Sequence, residues 1–256
     1  MAHDPDVDVF EVGGVPVAAI DMAGLVASVD RYLARGPGAA GAFVAFCGAH
    51  GIVESQKNPR VRQAHRDAWL TVADGRPLFW IGRLLGFRAI HQVPGIESVE
   101  AVCRGGVEAG WTHYFLGGGE GVAGRLAAEM SRRVPGLAVA GFETPPFRAL
   151  EAGEVEAMRE RIRAAGTQVL WVGLGAPKQE LFLADHVPHL PGIIGMGVGA
   201  AFDVNIGRLR RAPWAFQVLG LEWAYRLMHE PRRLWSRYSE VVPRFLGITA
   251  RTLLTR

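Results

Sequence analysis

The chain has 256 residues, 49% of them hydrophobic, which is enough to bury the core of one large α/β domain with an appendage. Two cysteines, Cys47 and Cys103, are too few for a disulfide framework or a cysteine metal cluster, which fits a reducing cytoplasm. The acidic N-terminus lacks the apolar stretch of a signal peptide, and no apolar run is long enough to predict a membrane-spanning helix.

The net charge of +3 conceals an uneven distribution of charge along the chain. Residues 205–256 contain ten arginines and three acidic residues, whereas residues 1–204 contain 18 basic and 22 acidic ones. A basic C-terminal segment on an acidic body indicates an anionic partner, such as lipid headgroups, a diphosphate or a nucleic acid. We therefore divide the chain into a body (residues 1–204) and a helical C-terminal appendage (residues 205–256).

Apolar strands alternate with amphipathic helices along the body. The first element is a hairpin closed at Gly13-Gly14, and Asp21 caps the helix that follows it. This alternation predicts an α/β fold with a Rossmann-like, mostly parallel sheet and helices on both faces. Strands are predicted at 42–47, from 70 up to Asp74, and at 113–116, 137–141, 168–173 and 193–196. Helices are predicted at 21–35, at 52–68 with a break at Pro59, at 97–109, from the glycines at 117–121 to about 133, and at 151–165.

A carboxylate ends the second strand of the predicted sheet. Asp74 and Gly75 follow an apolar run, and Pro77 falls in the first turn of the next helix. Open α/β sheets bind ligands at the carboxyl ends of their strands, and a carboxylate near a helix N-terminus stays ionised easily. Asp74 is therefore predicted either as a general base or as a simple helix cap.

A glycine-rich loop, Gly117–Gly121, joins a strand to the N-terminus of a helix. Glycines at such a turn let backbone N–H groups approach a phosphate, and the helix dipole favours the anion. Gly119, Gly121 and Gly124 also fit the dinucleotide fingerprint G-x-G-x-x-G, with Glu143 about 20 residues further on. The loop therefore predicts phosphate or diphosphate binding, with an NAD(P)-binding Rossmann oxidoreductase or a plain turn as alternatives.

Two further strand-to-helix turns carry polar side chains. Lys178 and Gln179 open the helix after Gly173, and Lys178 is one of only two lysines in a chain with 26 arginines. Lys178 is predicted to bind a phosphate and Gln179 a base or sugar hydroxyl, unless this is an ordinary exposed first turn. His50 is predicted either as a ligand contact or as a structural histidine. There is no HExxH motif and no set of His and Cys residues with the spacing of a zinc site, so no metal site is expected.

The appendage interleaves arginines with aromatic residues. This composition suits a membrane interface, where rings lie at headgroup depth and guanidinium groups meet phosphate. Nucleic-acid binding needs the same residue types, and helices packed on the body with buried aromatics are a third interpretation. The residues concerned are Arg208, Arg210, Arg211, Arg226, Arg232, Arg233, Arg237 and Arg244, with Trp214, Phe216, Trp223, Tyr225, Trp235, Tyr238 and Phe245.

Blocks of sequence along almost the whole chain form a recognisable set. They are Val72–Gly75 with Pro77 and Leu78, Val93–Gly95, Tyr114–Gly118, Val172–Glu180, Gly197–Asp203 with Gly207, Arg211–Pro213, Gly220–Trp223 with Arg226, Glu230–Arg233, and Arg237 with Tyr238. Together these blocks resemble the WecG/TagA/CpsF family of bacterial glycosyltransferases, glycosyltransferase family 26. The likeness covers about residues 10–246.

This resemblance implies a hexosyltransferase that moves a sugar from a UDP-sugar to a saccharide linked to a polyprenyl diphosphate, in bacterial surface polysaccharide synthesis. It implies inversion at the anomeric carbon, with no metal and no other cofactor. It also implies peripheral attachment to the cytoplasmic face of the membrane and no nucleic-acid partner, and it leaves a homo-oligomer open. An NAD(P)-dependent oxidoreductase and an inactive nucleotide-binding module remain as alternatives.

The resemblance also implies roles for individual residues. Asp74 falls at the position of the proposed catalytic base. The chain departs from many relatives where Phe46-Cys47-Gly48 replaces Thr-x-Asn and His50 replaces Glu, so the polar contacts of those side chains are missing. The residues implied around the UDP-sugar are Gly48, His50, Gly117, Gly118, Gly119 and Gln179, and those implied at the acceptor diphosphate and membrane are Arg210, Arg211, Arg226, Arg232 and Arg233.

Overall fold

The structure of the protein is a computed structural model that describes residues 3–146, 148 and 150–255. In this described part the strands are β1 (Val9–Val12), β2 (Val15–Ala18), β3 (Ala42–Cys47), β4 (Leu70–Ala73), β5 (Thr112–Gly117), β6 (Ala138–Glu143), β7 (Val169–Gly173) and β8 (Ile194–Gly197). The α-helices are α1 (Met22–Leu33), α2 (Ala49–Lys57), α3 (Pro59–Asp67), α4 (Arg76–Leu84), α5 (Gly95–Gly105), α6 (Val122–Arg133), α7 (Ala152–Ala164), α8 (Lys178–His186), α9 (Ala201–Asn205), α10 (Trp214–Val218), α11 (Glu222–His229) and α12 (Pro231–Leu254).

Six strands form one parallel sheet in the order β4-β3-β8-β7-β5-β6, and β1 and β2 form a separate antiparallel hairpin. All six residues of β3 are buried, as expected for a parallel strand that is covered on both faces. The predicted α/β fold, with its parallel sheet, N-terminal hairpin and C-terminal helices, is confirmed.

Side chains on successive strand residues pack into different cores on the two faces of the sheet. Phe115 and Trp171 belong to the cluster on one face, and their ring centroids are 6.5 Å apart. Leu170 and Val172, which flank Trp171 in β7, belong to the cluster on the other face. This alternation follows from the two-residue repeat of a strand, and it requires helices on both faces to cover the apolar surface.

The last strand of the body, β8, lies in the middle of the sheet between β3 and β7. Gly197 pairs with Ala45 on one side and with Val172 on the other, so the three strands end at nearly the same level. Gly117 of β5 pairs with Gly173 of β7 at that same level. The turns after β3, β8, β7 and β5 therefore meet along one edge of the sheet, where α/β proteins bind their ligands.

Helix boundaries follow the local sequence closely. Pro59 separates α2 from α3, as predicted, because Asn58 has the extended conformation that a residue before proline favours. Asp21 caps α1, as predicted, by accepting a 2.8 Å hydrogen bond from the backbone N–H of Gly24. Helix α5 begins at Gly95, two residues before the predicted start at Glu97.

The appendage is only partly packed against the body. Val241 and Phe245 of α12 are buried in a cluster that also contains Phe10, Val12 and Ile52. Other large apolar side chains of the appendage remain exposed, among them Trp214, Leu219, Met228, Trp235, Leu246 and Leu254. Among the described helices, none is both long enough and apolar enough to cross a membrane.

Candidate active site

The candidate site lies along the carboxyl edge of the sheet, where the strand pairing brings glycine-rich turns together. The backbone N–H of Gly118 donates a 2.8 Å hydrogen bond to the carbonyl of Gly173, which joins the turns after β5 and β7. The N–H of Val198 donates a 3.0 Å bond to the carbonyl of Val172, which joins the turns after β7 and β8. The edge continues through β3 to Asp74, whose N–H donates to the carbonyl of Cys47 at 3.0 Å.

A cleft of about 830 Å³ opens along this edge between the turns after β5, β7 and β8. Backbone from these three turns forms one wall, and charged side chains lie around it. This volume is in the range that binding sites for small organic ligands occupy. The lining residues include Gly118, Gly119, Gly173, Gly175, Gly199, Pro145, Pro146, Arg148, Lys178, His186 and Asp203. The structure thus brings together three predicted donor-site residues, Gly118, Gly119 and Lys178.

Two of the predicted glycines are also required by the fold. Gly117 has φ +116°, and a Cβ atom there would lie 2.9 Å from the backbone of Gly173. Gly118 has φ +72°, and a Cβ atom there would lie 2.5 Å from Val122. At Gly119 a Cβ atom would meet only Arg208, at 3.5 Å, and Val122, at 3.9 Å. The glycines at 117 and 118 therefore allow the close strand-to-helix turn, and Gly119 leaves room beside the backbone for a ligand.

Lys178 and Gln179 lie at the start of α8 but have different environments. Lys178 is exposed at the rim of the cleft, where the helix N-terminus also favours an anion. Gln179 is buried, and its Nε2 donates to the carbonyl of Gly197 at 2.6 Å and to Oε1 of Glu180 at 3.1 Å. Its Oε1 accepts a 3.2 Å hydrogen bond from the N–H of Gly175. Gln179 thus holds together the two turns that line the cleft, and direct contact with a donor stays a prediction.

Asp74 is held in place by the segment that precedes α5. One carboxylate oxygen accepts a 2.8 Å hydrogen bond from the N–H of Gly95, the first residue of that helix. Nε2 of Gln92 donates a 2.9 Å bond to the Asp74 carbonyl. The N-cap position of α4 is occupied by Gly75, and the Asp74 carboxylate contacts the start of α5. A helix N-terminus favours the ionised form of a carboxylate, which is the form that a general base needs.

Asp74 and the cleft are linked through the turn after β8. Gly95, which hydrogen-bonds the Asp74 carboxylate, packs so closely on Val198 that a Cβ atom at Gly95 would lie 3.3 Å from it. Val198 is followed by Gly199, which lines the cleft. Three strand spacings separate β4 from β7, which corresponds to about 14 Å at the usual distance between paired strands.

The turn after β3 places Gly48 and His50 differently. Gly48 lies beside the Asp74 turn, because a Cβ atom at Gly75 would be 3.7 Å from its Cα atom, and a Cβ atom at Gly48 itself would meet open space. His50 is the second residue of α2 and lies near Arg237 of α12, with its Nε2 3.8 Å from a carboxylate oxygen of Glu54. Burial lowers the pKa of His50, and the charge of Arg237 lowers it further. His50 is not among the residues that line the cleft.

The appendage arginines fall into three groups. Arg210 and Arg232 are exposed, whereas Arg211 forms an ion pair with Glu97 in the first turn of α5. Arg226 and Arg233 belong to α11 and α12, and their side chains lie outside the described part of the structure. Their predicted roles at the acceptor diphosphate and the membrane therefore stay predictions.

Sequence reasoning missed several residues of this edge. Arg148 and Asp203 line the cleft, and Arg208 pairs with Asp203 at 3.2 Å close to Gly119. Asp203 and Gly199 belong to a block that carries the family resemblance, so that block could have indicated them. No local pattern indicates Arg148, because its place at the cleft depends on contacts between distant parts of the chain.

The acid of the dinucleotide fingerprint has a partner of its own. Glu143, at the end of β6, forms a 2.9 Å ion pair with Arg161. A ribose that bound to this carboxylate would therefore compete with a guanidinium group, which favours a donor nucleotide held elsewhere over an NAD(P) cofactor. In the described residues, no three His, Cys, Asp or Glu side chains form a group that could hold a metal ion.

Comparison with known protein families agrees with this geometry. The model of the family described as glycosyl transferase, WecG/TagA/CpsF family, matches residues 10–256, nearly the whole chain. A glycosyltransferase uses a nucleotide-sugar donor and an acceptor, and the glycine-lined cleft lies at the same sheet edge as Asp74. The chain therefore belongs to the WecG/TagA/CpsF family of glycosyltransferases.

Proposed function

We propose that this protein transfers a hexose from a UDP-sugar to a saccharide linked to a polyprenyl diphosphate, with inversion at the anomeric carbon and without a metal ion. The observation that carries the proposal is the position of Asp74. Its carboxylate lies at the same sheet edge as the cleft and is held by the N-terminus of α5. In this proposal residues 1–204 form the catalytic unit, and residues 205–256 bind the acceptor and the membrane.

The reaction is a single in-line displacement. An acceptor hydroxyl oxygen attacks the anomeric carbon, its proton passes to the carboxylate of Asp74, and the bond between the anomeric carbon and UDP breaks. Because attack and departure occur on opposite faces, the configuration inverts. Positioned proton transfer of this kind contributes about 10²–10⁴-fold to the rate.

The leaving diphosphate gains negative charge as the bond breaks. The backbone N–H of Gly119 and the N-terminus of α8 are positioned to stabilise that charge. Lys178, at the start of α8, adds positive charge at the cleft, and Arg208, which pairs with Asp203, lies near Gly119. These groups supply the charge stabilisation that the proposal requires.

The exposed apolar residues of the appendage support binding to a membrane surface. Trp214 and Trp235 expose 76% and 66% of their area, and Arg210 and Arg232 are exposed as well. Exposed rings with guanidinium groups match an interface of acyl chains and phosphates, where a polyprenyl diphosphate also resides. The proposal therefore places the protein peripherally on the cytoplasmic face of the membrane.

The proposal is tested by offering a panel of UDP-sugars together with a polyprenyl-diphosphate-linked sugar and measuring both UDP release and product mass. We expect one donor to be consumed only when the acceptor is present. The melting temperature measured with UDP and with NAD compares the two classes of ligand, and we expect UDP, but not NAD, to raise it. Stabilisation by NAD alone would contradict the proposal, and UDP binding without consumption of any donor would indicate an inactive binding module.

A further inference from the structure

Glu180, the third residue of α8, is a buried acid that the reaction above does not use. Only 3% of its surface is exposed. Its Oε1 accepts the 3.1 Å hydrogen bond from Gln179, whereas its Oε2 has no hydrogen-bond partner among the described residues. A buried carboxylate oxygen without a partner is costly, whereas a protonated carboxyl group carries no charge to desolvate.

The position of Glu180 connects it to the walls of the cleft. Its partner Gln179 bonds the carbonyl of Gly197 and the N–H of Gly175, so one side chain fixes the turns after β8 and β7. The packing is close, because a Cβ atom at Gly199 would lie 3.0 Å from Oε1 of Gln179. A change in the charge of Glu180 would therefore act directly on the group that sets the spacing of the two turns.

The surroundings of Glu180 favour its neutral form. The pKa of Glu180 is raised to about 7, chiefly by burial and to a lesser extent by the charge of Asp74, and hydrogen bonds from the backbone N–H and from Gln179 partly oppose the rise. From β3, Cys47 faces the same region, and burial keeps its pKa well above the ordinary value. From α3, His65 is buried with its pKa lowered to about 4, so it adds no positive charge.

Three other charged groups of α3 and α8 are either paired with each other or exposed. Arg60 of α3 pairs with Asp185 at the other end of α8, at 2.9 Å. Lys178, on the same helix, is exposed at the cleft rim. Asp74, whose carboxylate accepts a hydrogen bond from the N-terminus of α5, is the acid that the proposed reaction requires in its ionised form. Two carboxyl groups with opposed environments are a recurrent way of separating an ionised acid from a neutral one.

We propose that Glu180 is a positioning residue that, in its protonated form, holds the Gln179 amide against both cleft turns and avoids a second negative charge beside Asp74. This inference rests on the proposed function, because it takes the cleft as the donor site. Ionisation of Glu180 would strengthen the hydrogen bond from Gln179 but would bury a charge whose Oε2 has no partner among the described residues. Hydration of that charge would separate the packed turns and weaken binding of the UDP portion of the donor.

The sign of the effect on stability follows from the direction of the shift. Because the pKa of Glu180 is higher in the folded chain than in the unfolded chain, folding retains a proton that unfolding releases. Its favourable contribution is present below the ordinary pKa of a glutamate, falls as the pH rises, and is lost above about pH 7. Glu180→Gln, which mimics the neutral acid, removes this dependence.

The test compares wild type, Glu180→Gln and the control Glu108→Gln, an exposed acid outside the cleft, at pH 5 and pH 8. We expect the wild-type melting temperature to fall between these pH values by about 5 °C more than that of Glu180→Gln. Between pH 6 and pH 8 the Kd for UDP, measured by calorimetry, should rise about tenfold more in wild type than in Glu180→Gln, while Glu108→Gln follows wild type. Because wild type and the variants are compared at the same pH, the ionisation of UDP itself affects all of them equally.

Identical pH dependence of wild type and Glu180→Gln in both measurements would overturn the proposal. If Glu180→Gln does not fold, carboxyl-labelled wild-type protein is titrated by NMR. One glutamate signal that titrates near pH 7 in step with UDP affinity supports the proposal, and none above pH 6 overturns it. Failure of the transferase itself is recognised separately, because no UDP-sugar would then be consumed while the melting comparison still decides the role of Glu180.

Discussion

The sheet edge and the C-terminal appendage differ in how far they bury their side chains. At the sheet edge Gln179 is buried, and most of its amide hydrogen-bonding capacity is used within the fold. In the appendage Trp214 and Trp235 are mostly exposed, although Val241 and Phe245 of the same region are buried against the body. The comparison indicates that the edge is built to hold a polar ligand in fixed geometry, while part of the appendage is left to contact an apolar surface.

The largest effect is expected at the sheet edge. Asp74→Asn keeps the size of the side chain and an oxygen that accepts from Gly95, but it removes the base. We expect kcat to fall by about 10²–10⁴-fold, because positioned proton transfer contributes that much. Kd for UDP and melting temperature should change little. The matched control is Asp30→Asn, an exposed aspartate of α1, which should retain full activity. Wild-type kcat in Asp74→Asn would remove Asp74 from the mechanism.

The exposed rings of the appendage provide the next test. Replacing Trp214 and Trp235 together by Ala should lower the affinity for anionic liposomes, measured by co-sedimentation, by about 100-fold. Each ring that is buried in the membrane interface contributes several kcal/mol at most to the binding free energy. Turnover of a water-soluble acceptor should be retained. The control is Phe142→Ala, which removes an exposed aromatic of the body. Unchanged liposome binding would show that these rings serve another purpose.

Removing the whole appendage is a less specific experiment. Truncation near Asn205 would also remove Val241 and Phe245, which are buried in the same cluster as Phe10 and Ile52. Loss of that packing would lower stability by several kcal/mol, whatever the role of the appendage in membrane binding. Point substitutions at exposed positions avoid this problem.

The positive charges near the glycine loop should contribute moderately to donor binding. Lys178→Ala and Arg208→Ala are each expected to raise Kd for UDP about tenfold, since charge-assisted hydrogen bonds contribute roughly 1.5–3 kcal/mol. Binding of uridine, which lacks phosphates, should be unaffected. Lys57→Ala, which removes the other lysine of the chain, serves as the control. Equal weakening of UDP and uridine would show that these side chains act on the fold and not on the diphosphate.

The smallest effect is expected for the exposed arginines of the appendage. Arg210→Ala and Arg232→Ala should each weaken binding to anionic liposomes about fivefold at low salt, and less at high salt. Arg211→Ala should behave differently, because it also leaves Glu97 at the start of α5 without its partner. A salt-independent loss for Arg210→Ala would contradict an electrostatic role.

Much of the fold could be predicted from the sequence because its signals are local. The apolar run of β3 and the break at Pro59 are examples, since burial on both faces and the restriction before proline depend on a few neighbouring residues. The position of β8 between β3 and β7 could not be predicted, because strand order depends on contacts between distant segments.

The same distinction applies to the site. The glycines of the β5 turn and Asp74 have local signals, whereas the contact between Asp74 and Gly95 joins residues 21 positions apart through the packing of α5 on Val198. Gln179 looked like a ligand contact because its side chain is polar, and only the structure shows that it bonds two turns. The burial of Glu180 likewise depends on the packing around α8, and the sequence pattern does not predict that packing.

The central claim is that the glycine-lined cleft and Asp74 form one site. A crystal structure of the protein with bound UDP tests this most directly. We predict that the diphosphate lies against Gly118, Gly119 and the start of α8, with its terminal phosphate directed along the edge toward Asp74. UDP bound on another side of the sheet, with no path from its terminal phosphate to the Asp74 carboxylate, would contradict the account.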